Sequence, residues 1–131
     1  MKIGVLGLQF DNVTMEQALT RARELLGGDR AAMVVTPNAE IAYEALKSDE
    51  LRALLNSADL MLPDGSGVVL AAKILKTPLR QKVAGIDFAD GLLGILEETG
   101  GGLYLLGSKP GIGELAAEKM REKHPKLNVC G

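Results

Sequence analysis

Three polar stretches carry the side chains that could do chemistry: TPNAE (residues 36–40), PDGSG (63–67) and GSKPGIG (107–113). Asp64 offers a carboxylate between Pro63 and Gly65. It is placed either to take a proton as a general base or to cap a helix starting near Ser66. Thr36 and Asn38 offer a hydroxyl and an amide, which suit a sugar or amide oxygen and equally make caps and turns. In the third stretch, backbone N–H groups around Gly107, Ser108 and Gly111 could cradle a phosphate at a helix start, or the glycines could simply shape a turn. Neither the Gly-Lys-Ser/Thr ending of a P-loop nor the dinucleotide spacing G-x-G-x-x-G occurs there. Arg80 and Lys82 supply cations for a diphosphate, or a solvated connection.

Other chemistries lack their residues. With one histidine, His124, and one cysteine, Cys130, a zinc site has too few ligands. His124 precedes Pro125 at the end of a helical stretch, where a cation suits the helix dipole, so it reads as structural. No Asp-x-Asp pair occurs. A sugar nucleotide would then be met by cations and backbone N–H groups rather than through a metal held by such a pair.

These loops need elements to hold them. Short apolar runs at residues 2–8, 31–35, 59–62, 103–106 and around Val129 read as strands. Between them lie helical stretches. A capping box, Thr14 to Gln17, opens the first, which stops at Gly27-Gly28. Residues 39–47 have helical composition, and another helix starts at Ser48 or Asp49. Residues 68–76, 88–99 (capped by Asp87) and 114–123 complete the set. Continuous apolar strands alternating with helices predict an α/β fold: a Rossmann-like, mainly parallel sheet with helices on both faces, in a single domain over residues 1–131. In such sheets ligands bind beyond the carboxyl ends of the strands, where all three polar stretches fall.

Composition narrows the class. Apolar residues are 47% of the 131, enough to fill a core, which excludes bulk disorder. A net charge of −2 and 3% aromatics exclude a nucleic-acid surface of the charged or base-stacking kind. The lone cysteine fits a reducing compartment. No apolar run reaches the roughly 18 residues of a membrane span, and no signal peptide opens the chain. These features predict a cytoplasmic location. The last residues, 127–131, read as a strand entering a turn, so the domain is expected to lack its C-terminal part.

The order of the motifs VTPNAE (35–40), ADLMLPDGSGV (58–68), VAGID (83–87) and YLLGSKPG (104–111) resembles the WecG/TagA/CpsF family of bacterial glycosyltransferases. The likeness is strongest to members that build the linkage unit of wall teichoic acid. It implies inverting transfer of N-acetylmannosamine from its UDP donor to undecaprenyl-diphosphate-linked N-acetylglucosamine. Asp64 falls where the family has its catalytic aspartate. Thr36 and Asn38 fall where it lines the sugar pocket. The family arginine before V-x-G-x-D is Lys82 here, with Arg80 two residues earlier; either could meet the diphosphate. Gly107, Ser108 and Gly111 match the part that approaches the nucleotide. The resemblance also implies work at the inner face of the cell membrane, peripherally, through a segment beyond residue 131. No cofactor and no metal is expected, and uncovered apolar surface would favour a homo-oligomer. Three other readings stay open. One is transfer of a different UDP-sugar to a polyprenyl-linked acceptor in another surface polysaccharide pathway. The second is a nicotinamide-dependent oxidoreductase, which would need the missing fingerprint. The third is a non-catalytic Rossmann-like binding domain.

Overall fold

The computed structural model describes every residue, Met1–Gly131. It is a mixed α/β structure in two compact units, Met1–Phe88 and Ala89–Gly131. The first unit opens with β1 (Lys2–Val5) and β2 (Leu8–Asp11), an antiparallel hairpin with Val5 opposite Leu8. The apolar run 2–8 is thus not one strand, and this pair departs from a mainly parallel sheet. The two-residue loop Leu6-Gly7 has φ of 50° and 82°, the doubly left-handed turn that matches strand twist. Asn56 clamps it: its Nδ2 donates to the Gly7 carbonyl at 2.9 Å, and its Oδ1 accepts from the Gln9 N–H at 3.0 Å.

Helix α1 (Met15–Leu26) starts at the capping box, with Thr14 accepting from the Gln17 N–H and the Gln17 side chain accepting from the Thr14 N–H. Strand β3 (Val34–Val35) leads to α2 (Ala39–Lys47), and α3 (Asp49–Asn56) follows at once. Ser48 ends α2 and caps α3 through its hydroxyl. Strand β4 (Leu60–Met61) pairs in parallel with β3, and α4 (Ser66–Ile74) follows. The hairpin, β4 and the inner faces of α2 to α4 share a core that includes Val5, Leu8, Phe10, Met61, Val68 and Ala72.

Helix α5 (Gly85–Thr99) begins in the first unit, three residues earlier than its sequence suggested, so Asp87 lies within its first turn. In the second unit, β5 (Gly102–Leu103) pairs in parallel with β6 (Asn128–Val129), and α6 (Ile112–Lys123) lies between them in sequence. His124 at the end of α6 contacts two carboxylates of α5: its Nδ1 lies 3.2 Å from Glu97 Oε2 and its Nε2 3.3 Å from Asp90 Oδ1. Both carboxyl groups are held below their usual pKa. Lys123 does this first for Asp90 and the Lys126 N–H first for Glu97, with His124 adding to each.

The strand pairs form three two-stranded sheets, two parallel and one antiparallel. The strands are shorter than their apolar runs because only two residues of each parallel strand keep ladder geometry. Single bonds such as Leu62 N–H to the Val35 carbonyl, 2.9 Å, carry the pairing a residue further. No helix is long and apolar enough to cross a membrane.

Candidate active site

In the first unit, β3 and β4 end side by side, so Thr36 and the Pro63-Asp64-Gly65 turn leave the sheet together. Asp59 secures that pairing. Its carboxylate accepts from the Met33 N–H at 2.9 Å and pairs with the Arg30 guanidinium. These contacts, Arg30 first, lower its pKa from 3.8 to about 2.

Asp64 is half-buried, and its carboxylate makes no hydrogen bond within the chain. The capping alternative does not apply to it. The residue before α4 is Gly65, with no side-chain cap, and its φ of 89° is a conformation that favours glycine. Asn38, by contrast, is the cap of α2: its Oδ1 accepts from the Ile41 N–H at 2.9 Å. Its Nδ2 is left exposed for another partner. Thr36 is half-buried just before it.

Three helix starts gather here. A Cβ added at Gly65 would lie 3.9 Å from the Asn38 Cβ, and one at Gly67 would lie 2.9 Å from the Ala39 Cβ, so α4 and α2 begin against one another. A Cβ added at Gly85 would lie 3.0 Å from Thr36 Oγ1 and 3.2 Å from Asp64 Oδ2, so α5 begins there as well. Thr36, Asn38 and Asp64 are therefore brought together. The amino ends of three helices give their surroundings a partial positive charge, suited to an anionic group.

The two candidate cations are exposed and form no ion pair within the chain. Their backbone is tied down: the Arg80 N–H donates to Asn12 Oδ1 at 2.8 Å, and the Val83 N–H to the Pro63 carbonyl at 2.9 Å. Lys82 is thus one residue from a bond to the Asp64 turn, whereas Arg80 is fixed beside the connection into α1. Sequence reasoning passed over Gly85 and Asn12. A glycine just ahead of a predicted helix was the available signal for the first; an asparagine in a loop gave none for the second.

In the second unit, Gly107, Ser108 and Gly111 line a pocket of about 720 Å³. All three have positive φ, of 114°, 62° and 86°, in the loop ahead of α6. Lys109 and Arg121 add cations to its wall, and Glu114 and Glu118 add carboxylates.

The site thus offers an unpartnered carboxylate, a hydroxyl and an amide at the carboxyl ends of two parallel strands, the edge at which open α/β sheets bind ligands. The chain belongs to the glycosyl transferase WecG/TagA/CpsF family, whose model matches residues 3–131. It is similar to a Staphylococcus aureus protein named N-acetylglucosaminyldiphosphoundecaprenol N-acetyl-beta-D-mannosaminyltransferase, 31% identical over 131 residues, covering 98% of this chain and 52% of that one. A Bacillus spizizenii protein of the same name is 31% identical over 106 residues, covering 81% of this chain and 41% of that one. The chain thus spans about half the length of the curated relatives it matches.

Proposed function

We propose that this chain carries the base and sugar-holding residues of an inverting N-acetylmannosaminyltransferase. The donor is UDP-N-acetylmannosamine, the acceptor undecaprenyl-diphosphate-linked N-acetylglucosamine, and the product serves wall teichoic acid linkage-unit synthesis. The observation that carries the reading is the unpartnered, half-buried Asp64 carboxylate beside Thr36, in a chain of a glycosyl transferase family whose similar proteins are named for such transfer. The Rossmann-like sheet and the single catalytic domain belong to the same proposal; the parallel pairs β3–β4 and β5–β6 support the first.

Asp64 takes the proton of the acceptor hydroxyl as its oxygen bonds to the anomeric carbon. The bond from that carbon to the diphosphate breaks on the opposite face, and UDP leaves with the electron pair. Thr36 and the free Nδ2 of Asn38 orient the acetamido sugar. Lys82 or Arg80 meets charge growing on the diphosphate; the bond from Val83 to Pro63 favours Lys82. Lysine supplies a compact point charge rather than the two-pronged donor of arginine. Gly107, Ser108 and Gly111 bind substrate through backbone N–H groups. The lipid-linked acceptor requires work at the membrane surface, peripherally at its inner face.

The test is sugar transfer by wild type and Asp64→Asn. A positioned base contributes about 10²–10⁴-fold, so the variant should lose that much while its circular dichroism and melting temperature stay put. A wild-type rate in the variant would remove Asp64 from the mechanism.

A further inference from the structure

We infer that Gly85 is a positioning residue for this site: its missing side chain is what lets the start of α5 lie against Thr36 and Asp64 without displacing them. The inference rests on the reading of Asp64 as base. It adds a residue that touches neither substrate nor the reacting atoms.

The distances set the problem. A methyl at Gly85 would lie 3.0 Å from Thr36 Oγ1, 3.2 Å from Thr36 Cβ and 3.2 Å from Asp64 Oδ2. Such contacts are tighter than nearly all that a Cβ makes, so a neighbour must give by a few tenths of an ångström. Which side moves decides the effect. The start of α5 is anchored on both flanks. Val83 before it is fully buried and bonded through its N–H to the Pro63 carbonyl at 2.9 Å. Phe88 after it is 3% exposed and closes the first helical bond, to the Ala84 carbonyl, at 3.0 Å. Withdrawing the helix would strain two packed side chains and a short backbone bond. Thr36 and Asp64 are only half-buried, and no side-chain hydrogen bond holds either in place. The added methyl therefore pushes the carboxylate and the hydroxyl rather than the helix.

Gly85 does not use the backbone freedom of glycine, since its φ is not positive, so its lack of a side chain calls for a local reason. The helix contains its own control. A Cβ at Gly94 would meet nothing within 4 Å. Gly94→Ala should raise the melting temperature and leave transfer unchanged.

Displacing reacting groups by a fraction of an ångström lowers turnover more than binding. For Gly85→Ala the expected result is a fall in kcat of about 10-fold or more, with KM for the donor within about 2-fold. In NMR spectra the Asp64 carboxyl carbon and the Thr36 methyl should shift, while Gly94→Ala leaves both in place. The wild-type chain should show a nuclear Overhauser effect between the Gly85 α-protons and the Thr36 side chain, which needs no variant to fold. Unchanged kcat in Gly85→Ala, unmoved Thr36 and Asp64 resonances, or a missing Overhauser effect would each overturn the inference. If wild type transfers no sugar, the transferase reading fails, and the spectroscopic measurements still decide what Gly85 does.

Discussion

Asp59 and Asp64 lie five residues apart and are used in opposite ways. Asp59 spends its carboxylate on Arg30 and the Met33 N–H and so joins β3 to β4; Asp64, past the end of β4, spends nothing. The contrast yields a pH prediction. Asp59 has a folded pKa of about 2 against an ordinary 3.8. A lowered pKa means that the folded state holds the proton less tightly than the unfolded chain. Its contribution to stability is therefore complete above about pH 4 and disappears as pH falls through about 2. Melting temperatures of wild type and Asp59→Asn should differ by a constant amount above that window and converge within it. A difference that persists unchanged to pH 2 would show that the charge is irrelevant. Much of the candidate site could be read from the sequence because its residues follow strand ends. Asp64, Thr36 and Asn38 are each one to three residues beyond a ladder position. The role of Asn38 as cap and the freedom of Asp64 could not be read, because both residue types cap helices equally well and only geometry decides between them.

At the level of elements, helices were more legible than strands. The box at Thr14 and Gln17, Ser48 between two helices and the glycines after α1 are chemical punctuation, and the helices stop and start on them. The β1–β2 hairpin escaped because its turn is Leu6-Gly7 rather than an asparagine–glycine pair, and an apolar leucine continues the run on either side. That choice carries strain. Leu6 at φ of 50° adopts a conformation that costs a side-chain-bearing residue about 1–2 kcal/mol, less for asparagine. Leu6 is 38% exposed, so its removal uncovers little core. Leu6→Asn should stabilise the chain by about 1 kcal/mol, raising its melting temperature by a few degrees. An unchanged or lower melting temperature would mean that Leu6 packs in a way its exposure does not suggest.

For the molecule as a whole, apolar content indicated a real core and the alternation of apolar runs with helical stretches a mixed α/β chain, yet neither told how the strands pair. Two-residue ladders leave no periodicity to read. Large apolar side chains also remain at the surface, among them Ile74, Ile86 and Leu106, the last 92% exposed. Strand β4 is buried instead of exposed, and Asp11 at the end of β2 ties the hairpin to it. Its Oδ2 accepts from the N–H of Met61, a residue 1% exposed, at 2.8 Å. Lys2 shares the same oxygen at 3.2 Å. The donor that a free strand edge would leave open is thus answered from within the chain. Asp11→Ala leaves this buried N–H without its partner and should cost about 1–3 kcal/mol of stability, read as a lower melting temperature. An unchanged melting temperature would show that the bond is dispensable. One acid at the end of a hairpin thus completes the edge of a strand that belongs to a different sheet.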